Sequence, residues 1–355
     1  MKKCNFPQES KAYNLKIGIL TYSYIGNPGA KLQAECVYKA IGERLDCDVE
    51  FIIPVDLQFK RYFTRPPGKH YKVPIANHGL DWDLLSPVDI ETKTSIFKHL
   101  DERYDIIIVG SDEILRYPDT VFWLENNMKC KKIMLAPSCW DVQEKKFKID
   151  VKRCLEDFDI LTYRDETTKN FYNSKEIDSE FTFCPDPTFI GNLNHELSPQ
   201  LADKFAESKG RKTLFLSLYK RTPTVNRLVK HYENQDFKVI EVKSQSIKNP
   251  KDWFVLHGLA TICITDKFHG TISCLLNKTK VIGIESDRDP QYSKMKDLYN
   301  RFGILDLYLQ KNQDIPNDID RLIADYDFDN IDQTVQKFNN IWSKIMLKIS
   351  ELSKK

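Results

Sequence analysis

The alternation of short apolar runs with helix-patterned segments is the feature of this sequence that constrains its fold most. Apolar runs with the length of buried strands fill residues 15–24, 49–55, 104–110, 131–137 and 158–165. Between the first two runs, the apolar residues of 30–45 recur at helical spacing. Strands that alternate with helices form parallel sheets covered by helices. The first part of the chain is therefore predicted to be a Rossmann-like α/β domain.

A second alternation follows the Pro- and Gly-containing segment CPDPTFIGN. Its predicted strands are residues 211–219, 237–242, 261–265 and 280–286. From residue 331 onward, apolar residues recur every three or four positions, which indicates an amphipathic helix that packs on a core. We expect an α/β fold with two Rossmann-like domains, 1–192 and 193–328, facing a central cleft, and a C-terminal helix, 329–355, packing back.

Residues 57–90 are rich in proline, glycine and aromatic residues and show no period. They are predicted to form an irregular excursion, and long loops of this kind usually carry function or move. Their aromatic residues are candidates for stacking on sugar rings.

Charge and cysteine usage exclude several classes of protein. With 53 basic and 51 acidic residues, the chain lacks the basic excess typical of nucleic-acid binding proteins. Its nine cysteines form no CxxC pair and no zinc spacing, so we predict reduced thiols and no metal site. No apolar run approaches the roughly 18 residues of a membrane span, and the N-terminus lacks the apolar segment of a signal peptide. These features predict a cytoplasmic protein without a transmembrane segment.

The segment TDKFHGTISCLL, residues 265–276, is the strongest candidate for a functional site. Lys267 and His269 follow a buried strand, and Gly270 and Thr271 are predicted to open a helix. The start of a helix favours anions, lysine adds a positive charge, and histidine can donate a proton near neutral pH. A plain surface turn is the alternative.

Other polar residues follow the remaining predicted strands, where ligands of open α/β sheets bind. These candidates are Asn27, Gly29, Ser111, Asp112, Arg164, Asp165 and Arg221. Structural roles are equally open for most of them. Asn27 and Gly29 could form a plain turn, Ser111 or Asp112 could cap a helix, and Arg164 could form an internal ion pair. Asp186, between two prolines, is interpreted as a turn carboxylate.

Seven motifs then resemble the polysaccharide pyruvyl transferase family, in order, over residues 15–305. They are NPGAKLQ, YDIIIVGSDE, KKIMLAPS, LTYRDETT, DPTFI, TDKFHGT and MKDL. The resemblance implies an architecture similar to two-domain glycosyltransferases of type B. Its characterised members transfer the enolpyruvyl carbons of phosphoenolpyruvate to a sugar as a pyruvate ketal, so we expect phosphoenolpyruvate as donor substrate and no cofactor.

The resemblance also implies roles for individual residues. The turn at Lys267 and His269 would hold phosphoenolpyruvate, with His269 as the acid, although well-studied members carry arginine where this chain has Lys267. Arg164, Arg221 and Lys294 are expected around the same cleft, where they would neutralise carboxylate and phosphate. Asp112 is the first candidate for the base and Asp165 the second.

The expected acceptor is a sugar of a capsule, an exopolysaccharide or its lipid-linked precursor. The protein would then act in the cytoplasm, with a peripheral location at the inner membrane face and homo-oligomerisation both left open. Two other functions compete. One is a glycosyltransferase that uses a nucleotide sugar, with Glu285 and Ser286 near the ribose or donor sugar. The other is a non-catalytic glycan-binding relative.

Overall fold

The computed structural model describes residues 15–22, 27–55, 86–89, 93–116, 121–124, 128–139, 149–206, 210–242, 247, 249–286 and 294–354. Seven parallel strands form the first sheet, in the order β3-β2-β1-β4-β5-β6-β7. They are β1 (Leu15–Leu20), β2 (Cys47–Val55), β3 (Ser86–Asp89), β4 (Ile106–Val109), β5 (Lys131–Met134), β6 (Ile160–Tyr163) and β7 (Phe181–Phe183). The chain order reverses beside β1, as in a Rossmann fold, so the carboxyl ends of β1 and β4 flank a natural ligand crevice.

Five parallel strands form the second sheet, in the order β12-β11-β10-β8-β9. They are β8 (Thr213–Ser217), β9 (Lys238–Glu241), β10 (Ile262–Thr265), β11 (Lys280–Ile284) and β12 (Tyr308–Leu309). Strands β8, β10 and β11 consist almost wholly of buried residues, as expected for a sheet covered on both faces. The predicted pair of parallel-sheet α/β units is therefore confirmed. The limits at 192/193 and 328/329 stay a prediction.

Eleven α-helices lie within the described residues. They are α1 (Pro28–Gly42), α2 (Lys93–Arg103), α3 (Val151–Glu156), α4 (Glu166–Ser174), α5 (Pro199–Ala206), α6 (Pro223–Glu233), α7 (Pro250–Gly258), α8 (Phe268–Leu276), α9 (Lys294–Arg301), α10 (Ile319–Ala324) and α11 (Phe328–Leu352). Several begin with the expected chemistry: Asn27 caps α1, Asp165 caps α4 and Thr222 caps α6, each through a side-chain oxygen. None of these helices is long and apolar enough to cross a membrane.

The C-terminal helix α11 packs against both halves of the molecule. Trp342, Ile345 and Ile349 join the core on one face of the first sheet, and Phe338 joins the core of the second half. The indole Nε1 of Trp342 donates a hydrogen bond of 3.0 Å to the carbonyl of Pro185. The prediction that this helix packs back is confirmed, and the helix bridges the two cores.

The predicted elements differ from the structure in two respects. Strands β3, β7 and β12 lie where no strand is predicted; apart from β3, the segment 57–90, with its aromatic residues, falls outside the described residues. Helix α8 begins at Phe268 rather than at Gly270, because Lys267 is still extended (φ −114°, ψ 127°) and occupies the capping position. His269 therefore lies in the first helical turn and not in the preceding loop.

Candidate active site

Arg164 lies at the centre of the candidate active site, directly after β6. Its side chain is 2% exposed; Nη1 is 2.6 Å from Oδ2 of Asp186, and Nη2 is 3.7 Å from Oδ1 of Asp112. The guanidinium also lies 4.9 Å from the ring centroid of Phe268, a cation–π contact across the two halves. Burial alone would lower the pKa of Arg164, but Asp186 and Asp112 raise it, so the group stays charged.

Asp186 connects Arg164 to His269. Its Oδ2 lies 3.4 Å from Nε2 of His269, and its Oδ1 accepts a hydrogen bond of 2.9 Å from the amide of Thr188. Burial would raise the pKa of Asp186, but His269 and Arg164 together lower it. The interpretation of Asp186 as only a turn carboxylate is therefore incomplete: it caps the 3-10 helix Pro187–Ile190 and also contacts both candidate residues.

The imidazole of His269 is held against the backbone of Gly29. A Cβ at position 29 would lie 2.5 Å from Cγ of His269 and 2.7 Å from its Cβ, closer than carbon atoms pack. Gly29 thus permits a close approach between the start of α1 and the start of α8. The close approach is made by a histidine of the same chain, whereas the sequence suggested a ligand.

Lys294 and Asp112 complete the charged group from opposite sides. Nζ of Lys294 lies 2.5 Å from Oε1 of Glu113 and 4.0 Å from Oδ1 of Asp112. Burial would lower the pKa of Lys294, but Glu113 and Asp112 raise it. Burial would raise the pKa of Asp112, but Lys294, Arg164 and His269 lower it. Both groups therefore stay charged at neutral pH.

Gln33 and Ser111 border this group, and the contact between them was not predicted from the sequence. The Ser111 hydroxyl donates a hydrogen bond of 2.7 Å to Oε1 of Gln33, and Nη1 of Arg164 lies 3.5 Å from the same oxygen. Gln33 is fully buried in α1, although glutamine usually lies on the surface of a helix. Its place at the end of the NPGAKLQ motif is the sequence signal that could have identified it.

Four buried nitrogen atoms at this site lack a hydrogen-bond partner among the described residues. They are Nε2 of Gln33, Nε and Nη2 of Arg164, and Nε2 of His269. A buried polar group without a partner costs about 1–3 kcal/mol, and native proteins contain few. Two of them, Nη2 of Arg164 and Nε2 of His269, face carboxylate oxygens of Asp112 and Asp186 at 3.7 and 3.4 Å, so the site keeps donors whose hydrogen bonds are not formed within the described residues.

A cleft adjoins the site and is shared by both halves and α11. It contains about 280 Å3 of atom-free space, part of it open to solvent. Its walls include Arg164, Asp186, Phe268, Lys294, Arg301 and Phe338. No three His, Cys, Asp or Glu side chains of the described ranges are grouped as metal ligands.

Lys267 and Arg221 lie apart from this charged group. Nζ of Lys267 donates a hydrogen bond of 3.1 Å to the carbonyl of Leu218 and lies 5.0 Å from the Tyr219 ring centroid. Burial lowers the pKa of Lys267. Arg221 forms an exposed ion pair with Glu241 at 2.8 Å. Both residues therefore lie at the carboxyl ends of the second sheet, away from His269.

The remaining candidates hold the local structure. Asn27 accepts a hydrogen bond of 3.0 Å from the Gly29 amide, and Asp165 accepts bonds from the Thr168 amide at 2.8 Å and the Ser138 hydroxyl at 2.6 Å. A Cβ at Gly270 would lie 2.5 Å from Oγ1 of Thr265, so this glycine permits packing on β10. The hydroxyl of Thr271 lies 3.5 Å from that of Tyr299, inside the second core.

Two parallel-sheet units with a cleft between them are the fold of type-B glycosyltransferases and related epimerases. Three solved structures share this fold at low identity. A Listeria monocytogenes protein described as a UDP-N-acetylglucosamine 2-epimerase is 10% identical, with a TM-score of 0.54 over 96% of this chain and 98% of its own. A Rickettsia africae glycosyltransferase is 12% identical, with a TM-score of 0.52 over 96% and 99%. The UDP-N-acetylglucosamine 2-epimerase of Methanocaldococcus jannaschii is 11% identical, with a TM-score of 0.51 over 91% and 92%.

The family assignment comes from the sequence profile described as polysaccharide pyruvyl transferase, which matches residues 27–288. This match spans well over half of the chain and includes every candidate residue of the charged group except Lys294. The chain therefore belongs to the polysaccharide pyruvyl transferase family, a family of transferases. No curated protein matches it significantly.

Proposed function

We propose that this protein transfers the enolpyruvyl group of phosphoenolpyruvate to two hydroxyls of one sugar, which forms a pyruvate ketal and releases inorganic phosphate. One observation carries the proposal: a buried histidine contacts a carboxylate that pairs with a permanent cation, and this cation and a second one face another ionised carboxylate. His269 contacts Asp186, Asp186 pairs with Arg164, and Arg164 and Lys294 both face Asp112.

The chemistry assigns a task to each of these groups. Protonation of the methylene carbon of phosphoenolpyruvate creates a cation-like carbon, and one sugar hydroxyl adds to it with loss of its proton. Phosphate then leaves, and the second hydroxyl adds with loss of its own proton. One proton is therefore taken up by the methylene carbon and one by the leaving phosphate. We assign the proton donor to His269 and the first hydroxyl's base to Asp112.

Electrostatics supports the same assignment. Arg164 and Lys294 now pair with Asp186, Glu113 and Asp112, and the carboxylate and phosphate of the donor would compete for these cations. Cations held in a buried site stabilise developing negative charge better than cations in water do. Lys267 is turned toward Leu218, so we assign the central charge role to Arg164 and Lys294 and place Lys267 and Arg221 at the outer edge.

The proposed acceptor is a sugar of a cell-surface polysaccharide or of its lipid-linked precursor, and the proposed site of action is the cytoplasm. A nucleotide-sugar glycosyltransferase is the alternative, because the same fold serves that chemistry. Glu285, at the end of β11, is the residue of interest for it.

Phosphate release tests the proposal. The purified protein is incubated with phosphoenolpyruvate and hexose-containing oligosaccharides, and inorganic phosphate is measured over time. We expect acceptor-dependent release that His269→Gln abolishes. The control His231→Gln changes an exposed histidine paired with Asp320 and should retain the activity.

Ligand-induced stabilisation separates the two functions. Phosphoenolpyruvate should raise the thermal midpoint, and nucleotide sugars should leave it unchanged, because only a ligand that binds the folded state stabilises it. Stabilisation by nucleotide sugars alone, with no phosphate released by folded protein, would overturn the proposal.

A further inference from the structure

Gln33 has an amide whose orientation is fixed by its neighbours. Nη1 of Arg164 can only donate, so the Gln33 atom that it faces at 3.5 Å is the oxygen, and the Ser111 hydroxyl donates to the same oxygen at 2.7 Å. The acceptor atom of the amide is therefore Oε1, and the NH2 group points elsewhere. That NH2 group is buried and has no partner in the part of the chain that the structure describes.

The groups around this amide offer both donors and an acceptor. Nε2 of Gln33 and Nη2 of Arg164 are donors that make no hydrogen bond within the described residues, and Nη2 meets a carboxylate only at ion-pair distance. Oδ1 of Asp112 lies 3.7 Å from Nη2 of Arg164. A hydroxyl both donates and accepts hydrogen bonds, whereas an anion only accepts, so this mixed set suits neighbouring hydroxyls.

The charge balance points in the same direction. On the side of Gln33, the Arg164 guanidinium lies 3.5 Å from the amide oxygen and faces the Asp112 carboxylate at 3.7 Å, so one positive charge is matched there by one negative charge. The side of the site toward Gln33 therefore carries no excess of positive charge that would hold a further anion. A neutral ligand rich in hydroxyls can bind the donors of Gln33 and Arg164 and the acceptor of Asp112 without breaking the ion pair between Arg164 and Asp112.

We propose that Gln33 binds the acceptor sugar: with Arg164 and Asp112, it holds two hydroxyls of one saccharide ring and thereby selects the acceptor. This inference rests on the proposed function, because the bound hydroxyls would be those that form the ketal. It adds Gln33, the last residue of the NPGAKLQ motif, to the residues of the site.

Gln33→Glu tests the role with little change in shape. The variant keeps an oxygen for Ser111 and Arg164 but replaces the amide donor with an acceptor beside Asp112. Binding of the methyl glycosides of glucose, galactose and mannose is measured by saturation-transfer NMR. We expect at least one glycoside to bind the wild type. The same glycoside should bind the variant about tenfold more weakly, which is the effect of one lost buried hydrogen bond.

Gln336→Glu is the matched control, because Gln336 is exposed on α11 and contacts Asn340. It should bind the same glycoside as the wild type does. Gln33→Met, of similar length without polar atoms, repeats the test if Gln33→Glu does not fold. The thermal midpoint with phosphoenolpyruvate, which should still rise in both Gln33 variants, separates loss of the sugar site from loss of the whole site.

Failure of this inference differs from failure of the proposed function. Unchanged glycoside binding in a folded Gln33 variant overturns it, and so does the absence of binding of any glycoside to the wild type. Absence of phosphate release, with glycoside binding that depends on Gln33, would overturn the pyruvyl transfer and leave the sugar site standing.

Discussion

Gly29→Ala perturbs His269 without changing the histidine. The added Cβ would lie 2.5 Å from Cγ of His269, whereas carbon atoms pack at about 3.5–4.0 Å. The imidazole must therefore move by about 1 Å. A displacement of about 1 Å at a catalytic group costs about 100-fold in rate, which corresponds to about 2.7 kcal/mol of activation free energy.

Stability should respond differently from activity. Gly29 lies in the first turn of α1, where alanine is compatible with the helical backbone and gains up to about 1 kcal/mol in helix propensity. The clash with His269 offsets this gain, so we expect little net change in the free energy of unfolding and a loss of about 100-fold in phosphate release.

Gly42→Ala is the matched control at the other end of the same helix. A Cβ there would meet nothing within 4 Å in the described part of the chain. This variant should keep full activity and gain roughly 0.5–1 kcal/mol of stability. Both variants are compared by phosphate release and by urea unfolding. Wild-type activity in Gly29→Ala would refute the argument that the position of His269 limits the reaction.

Three further predictions concern pH and packing. Asp186 has a lowered pKa in the folded state, so its stabilising effect is complete above about pH 4 and is lost as the pH falls further. In Asp186→Asn, the free energy of unfolding should therefore decrease less steeply as the pH is lowered below about 4. A decrease as steep as in the wild type would contradict this. Burial lowers the pKa of His257 to about 3, so the wild type should lose up to about 1.4 kcal/mol per pH unit between about pH 6.5 and 3. His257→Gln should remove that slope in urea titrations, and an unchanged slope would exclude His257 as its source. Trp342→Phe removes the hydrogen bond to the carbonyl of Pro185, next to Asp186, and should lower the free energy of unfolding by about 1 kcal/mol. The variant should also lose part of the phosphate release. An unchanged thermal midpoint would argue against this contact.

The sheets could be predicted because their strands are continuous apolar runs. The predicted strands 261–265 and 104–110 each begin and end within two residues of the observed strands β10 and β4. Strand β3 was not recognisable from the sequence, because it has only four residues and contains Pro87, and proline is rare in strands. It is an edge strand, the position where a sheet tolerates proline.

Residues of the candidate site could be predicted only where they directly follow a strand that is recognisable in the sequence. His269, Arg164 and Asp112 each follow a buried strand, and the rule about carboxyl ends of parallel strands finds them. Asp186 also follows the carboxyl end of a strand, but β7 has only three residues and was not predicted, and Gln33 joins from α1. Side-chain direction also decided the outcome for Lys267, whose ammonium group turns to Leu218 although its backbone adjoins His269.

The most direct test of pyruvyl transfer is the mass of the acceptor after reaction with phosphoenolpyruvate. We predict that the oligosaccharide gains the mass of one pyruvic acid less one water, in equal amount to the phosphate released, and that His269→Gln forms neither product. Transfer of a hexose from a nucleotide sugar, or phosphate release without a change in acceptor mass, would contradict the account.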